Sequence, residues 1–87
     1  MRQGDQSNIV LYRLVNNRER YYIIRLFCNL FGEYIVIRRY GASRNTKHNR
    51  EIVEVFVNKK DACIAMNALM ASKLNKGYAP MRHLISI

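Results

Sequence analysis

A chain of 87 residues with one proline, four glycines and 49% hydrophobic residues has material for one compact domain and too little for two. Fifteen lysines and arginines against six acids leave a net charge of +9, which directs attention to an anionic partner such as nucleic acid, an anionic membrane or an acidic protein. No apolar run approaches the roughly 18 residues of a membrane-spanning helix, and the polar opening "MRQGDQSN" lacks the apolar core of a signal peptide, so a cytoplasmic location is expected.

In chain order, residues 1–8 are expected to be a flexible N-terminus, 9–80 the folded domain and 81–87 a tail. "IVLYRLV" at 9–15 is rich in β-branched and aromatic residues and predicts a first strand, with "NNRER" as the turn after it. In "YYIIRLFCN" at 21–29, Tyr22, Ile24, Leu26 and Cys28 share an apolar face while Arg25 lies on the other, so the even positions are the predicted core face. "LFGE" supplies a reversal. "YIVIRRY" at 34–40 returns as a third strand, with Ile35 and Ile37 on one side and Tyr34, Val36, Arg38 and Tyr40 on the other. The polar stretch from Gly41 to Asn49 reads as a loop, and "REIVEVFV" at 50–57 as a fourth strand.

Asn58 is placed to cap a helix, with Asp61 suited to its positive end. The helix is predicted over 59–76, its core face formed by Ala62, Ala65, Met66, Leu69, Met70 and Lys73, and Gly77 and Pro80 stop it. The fold class that follows is α+β, a four-stranded antiparallel meander packed on one face by a single helix. Cys28 and Cys63 have neither zinc-site spacing nor a disulfide framework and are expected to be free, buried thiols. The apolar tail "MRHLISI" is suited to dock on a sheet edge or a second subunit.

The order "RYYIIRL", "LFGEYIVIRRYG", a basic loop, a strand, and a helix ending in "KLNKGY" resembles the WGR domain of poly(ADP-ribose) polymerases and short bacterial proteins. That family carries the signature Arg, any residue, Trp, Gly, Arg after its third strand. Here the five positions are Arg38, Arg39, Tyr40, Gly41 and Ala42, so the aromatic is tyrosine and the final arginine is lost. The resemblance implies a DNA-binding module in which the aromatic packs on a terminal nucleotide and an arginine contacts the strand.

The residues support such a surface independently. Arg38 and Tyr40 are two apart on a strand and project to one face, where a cation beside an aromatic can hold a phosphate and stack a sugar or base. Gly41 is expected to allow a sharp turn at positive φ. Arg39, Lys47, His48 and Arg50 add charge nearby, and Arg44 is the expected replacement for the arginine missing at Ala42. Singly, each is an ordinary solvated cation or strand-end tyrosine; gathered at one strand end of a +9 chain, they favour a binding site.

Catalysis is not expected. The acids are scattered, with Glu51 and Asp61 at presumed solvent positions; His48 and His83 have no partner at a useful spacing, and no P-loop or GxGxxG occurs. Neither a cofactor nor a metal site is predicted. The leading expectation is DNA binding with little sequence specificity. A protein-interaction or homodimeric module is the second, and RNA stacking on Tyr21, Tyr34 and Tyr40 the third.

Overall fold

The computed structural model describes residues 7–42 and 49–80. Four strands, β1 (Ser7–Val15), β2 (Arg18–Cys28), β3 (Tyr34–Ala42) and β4 (Arg50–Phe56), are followed by one helix, α1 (Lys59–Asn75). Each strand is antiparallel to its neighbour, and the order across the sheet is β1-β2-β3-β4. The α+β meander expected from the alternation is the architecture present.

The strands outrun their hydrophobic patterning because the turns are tight. Only Asn16 and Asn17 of "NNRER" form the first turn, with φ of 53° and 65°. Two consecutive left-handed residues give a turn whose twist matches the strands it joins, and asparagine tolerates that backbone. Arg18, Glu19 and Arg20 therefore already belong to β2. The second turn is organised by Asn29, whose Oδ1 accepts from the N–H groups of Phe31 and Glu33 at 2.9 Å each and whose Nδ2 donates to Glu33 Oε1 at 2.9 Å. Gly32 completes it at φ 80°, where a residue without Cβ is strongly favoured.

These turns fix the registers, with Leu11 opposite Tyr22 and Tyr22 opposite Tyr40. The even face of β2 and β3 is the one α1 covers. Leu11, Tyr22, Ile24, Leu26 and Val36 form one buried cluster with Ala62 and Met66 of α1, flanked by Tyr34, Tyr40, Phe56, Leu69 and Met70. The predicted cap is present: Asn58 Oδ1 accepts from the Asp61 N–H at 2.8 Å. Cys28 and Cys63 are free, and half-buried rather than buried.

Two expectations about β3 are corrected. The strand continues through Gly41 and Ala42, so the polar loop starts later than its composition suggested. Gly41 is not a positive-φ hinge; it pairs with Tyr21 inside the sheet, and the left-handed glycines among the described residues are Gly32 and Gly77. Its missing side chain serves close packing instead. A Cβ at Gly41 would collide with Asn49 Oδ1 and lie 3.3 Å from Asn49 Cα.

After α1 the chain returns to the outer edge of β1, where Tyr12 and Ala79 exchange two N–H to carbonyl bonds of 2.7 Å.

Candidate nucleic-acid interface

At the C-terminal end of α1, three elements converge on the covered face of the sheet. The helix stops with a glycine cap: Gly77 takes φ 101°, its N–H donates to Leu74 O at 3.1 Å, and the Tyr78 N–H donates back to Lys73 O at 3.0 Å. This reversal satisfies carbonyls left open by the last turn. It also throws Tyr78 back onto the sheet, and the result is an aromatic cluster. Tyr22 and Tyr40 stack with centroids 5.1 Å apart and planes 11° from parallel, while Tyr78 meets Tyr22 edge-on at 5.9 Å.

Cations surround this cluster. Lys73 Nζ lies 4.5 Å from the Tyr22 ring centroid, and Arg13 Cζ lies 5.9 Å from that of Tyr78. Arg38 is half-buried in the same layer, its Nη2 4.0 Å from Glu54 Oε1, and its buried Nε has no hydrogen-bond partner among the described residues. Arg13 stands directly opposite Arg20 across β1 and β2, and Arg20 directly opposite Ala42 across β2 and β3. Opposite residues of an antiparallel pair share a face, and like charges so placed repel. Two arginines facing each other at the rim of a cationic cluster cost stability unless an anion lies between them.

The titration of the cluster carries the same signature. Burial, and then the charges of Lys76 and Arg38, hold the Lys73 ammonium below its usual value of 10.5. Burial lifts the Tyr22 phenol above 10.0, opposed by the Arg38 guanidinium beside it. Lys73 is thus a cation kept among cations, partly dehydrated, and an anion bound beside it would restore its proton affinity.

Of the eight predicted site residues, the structure brings three together. Arg38 and Tyr40 share the helix-covered face, with Arg50 opposite Tyr40 on β4. Arg39 and Gly41 lie on the other face, where Arg39 joins Asn8, Val10, Ile23, Arg25, Ile37 and Glu51 around a shallow groove of about 250 Å³. Arg44, Lys47 and His48 fall outside the described residues. The stacking set named for RNA is divided: Tyr21 is on the open face, Tyr34 and Tyr40 on the covered one. Arg13, Arg20 and Tyr78 are not among the predicted site residues, and Tyr22 and Lys73 are predicted only as core-face positions. Counting outward from the second turn pairs positions that sum to 62, which places Tyr22 beside Tyr40; that turn length was the available signal.

Among the described residues no group of three or more His, Cys, Asp or Glu is placed to hold a metal ion, and no helix is long and apolar enough to cross a membrane.

An open four-stranded meander with one helix across it, carrying aromatic and cationic side chains at the end of the third strand, is a small α+β module. Compared with known protein families, the chain matches the WGR domain over residues 7–84, and it belongs to that family. The WGR domain is known as a nucleic-acid-binding module of poly(ADP-ribose) polymerases and is not itself catalytic. No curated protein and no solved structure matches the chain.

Proposed function

We propose that the protein binds DNA through its backbone and exposed strand ends, with the phosphate held by Arg13, Arg20, Arg38 and Lys73 and the terminal sugar or base set against Tyr40. The carrying observation is the gathering of Lys73 and Arg38 about the stacked Tyr22 and Tyr40, with Arg13 opposite Arg20 across β1 and β2, a set of like charges that a phosphate would neutralise. Arg20, rather than Arg44, supplies the guanidinium that Ala42 no longer does, because it projects from the neighbouring strand on the same face. No row of Arg, Asn and Gln lies along α1, whose exposed positions offer no pattern for reading base edges. Free thiols at Cys28 and Cys63 suit a reducing compartment such as the cytoplasm.

The test is fluorescence anisotropy against hairpin-closed, blunt-ended and nicked duplexes across a salt series. Contact with about four to six phosphates gives a log–log salt slope of roughly −4 to −5. Arg20→Gln and Lys73→Gln should each weaken binding to all three duplexes and reduce the slope by about 1. Tyr40→Ala should mainly remove the preference for nicked and open ends. Affinities unchanged by Arg20→Gln and Lys73→Gln together would reject this site.

A further inference from the structure

Strand β4 forms one outer edge of the sheet, and its charges, Arg50, Glu51 and Glu54, are of both signs, so a second copy can pair with them as well as be repelled by them. Its sequence "REIVEVF" contains no lysine or proline, and its register with β3 runs unbroken from Tyr34 opposite Phe56 to Tyr40 opposite Arg50. Val53 and Val55 are 54% and 56% exposed, and Val57 just beyond is 84% exposed.

The direction of the unpaired backbone groups follows from the far edge. Tyr12 bonds Ala79 outward from β1, so the odd positions of β1 face β2, and the alternation carries strand by strand across the continuous registers. In β4 the even positions bond to β3. The N–H and C=O groups of Glu51, Val53 and Val55 therefore point away from the sheet.

We propose that this edge is the interface of a homodimer, in which two copies of β4 pair antiparallel about a two-fold axis at Ile52. A two-fold requires each residue to meet its mate at a constant sum, and bonding outward groups to outward groups requires that sum to be even. Centring on Glu51 or Glu54 sets a glutamate against its own copy. Centring on Val53 sets Ile52 against the partner's Glu54. Centring on Ile52 sets Arg50 against the partner's Glu54 twice over and Ile52 against the partner's Ile52, while Glu51 and Val53 exchange backbone bonds with the partner's Val53 and Glu51. It is the one register among these that sets opposite charges face to face, and it sets no like charges against each other. The two sheets become one, with both helices on the same side.

The experiment is light scattering on the full chain from low micromolar to millimolar concentration, with circular dichroism confirming that each variant is folded. The mass should rise from one chain to two. Glu54→Arg should raise the dissociation constant about tenfold, since two attractive cross-strand pairs become repulsive. Arg50→Glu combined with Glu54→Arg should restore it. Val53→Glu, which sets a carboxylate against the partner's Glu51 and leaves Arg38 and Glu54 in place, should leave a folded single chain. A single-chain mass at every concentration, leaving the edge to a strand of a different protein or to none, would overturn the proposal. So would a dimer indifferent to Glu54→Arg and Val53→Glu, or a double variant no better than Glu54→Arg alone.

Discussion

Gly41 and Asn49 show how much one absent methyl group decides. The Asn49 side-chain oxygen is buried against Gly41 with no hydrogen-bond partner among the described residues. Gly41→Ala should cost about 1–3 kcal/mol in chemical denaturation, because the side-chain oxygen can rotate away but the Asn49 backbone 3.3 Å off cannot. Asn49→Ala added to it should recover part of the loss, a coupling that a double-mutant cycle measures directly. Lys73 governs the response to alkali. Its folded-state pKa lies below the unfolded 10.5, so the charged form is disfavoured in the fold and this cost is relieved as pH rises through the lowered value towards 10.5. The raised Tyr22 pKa acts oppositely: its contribution is fully present below 10.0 and is lost as pH climbs through the higher folded value. DNA affinity should therefore begin to fall at a pH below the ordinary lysine range, and Lys73→Arg, which keeps its charge, should move that decline upwards in a titration followed by anisotropy.

At the level of elements, α1 depends on its ends more than on a wide apolar stripe. Only Ala62 and Met66 are fully buried. The Asn58 cap holds the first turn by its 2.8 Å bond from the Asp61 N–H, and Asn58→Ala should lower stability by about 1 kcal/mol in urea unfolding. Much of this element, and of the sheet, was legible in the sequence. Period-two alternation marked the even face of β2 as core and divided β3 into its two faces without choosing the covered one, and the Asn, Asp, Gly and Pro signals bounded α1 within a residue. The misses concern backbone geometry rather than hydrophobic pattern. "NNRER" is polar throughout, yet its last three residues are strand, because two left-handed asparagines suffice to reverse the chain. Gly41 was read as a hinge on its residue type, whereas the requirement for glycine comes from Asn49, a residue whose proximity only the β3–β4 pairing reveals.

In the whole molecule, a net charge of +9 is not spread evenly over function. The candidate site draws on β1, β2, β3 and α1 at once, and this is why it was half visible beforehand. Arg38 and Tyr40 adjoin in sequence and announced themselves; Arg13, Arg20, Lys73 and Tyr78 meet them only through strand register and the glycine cap of α1. The covered face also makes Tyr40 a structural residue as well as a candidate contact. Tyr40→Ala should therefore lower stability by about 3 kcal/mol or more, as loss of a packed aromatic does, and its binding effect is to be read well below its melting temperature. Tyr40→Phe keeps the stack and should melt within a few degrees of the parent by calorimetry.

The stacked tyrosines have an optical consequence. The chain has no tryptophan and six tyrosines, three of which, Tyr22, Tyr40 and Tyr78, form the cluster. Rings held 5.1 Å apart and nearly parallel in an asymmetric setting couple their electronic transitions, whereas a freely rotating phenol contributes little ellipticity. The near-ultraviolet circular dichroism of this protein is thus weighted towards the floor of its proposed binding site. Once the nucleic acid's own near-ultraviolet signal is subtracted, a ligand seated there changes the tyrosine spectrum without any label, and one held elsewhere on the surface by charge alone leaves it as it was.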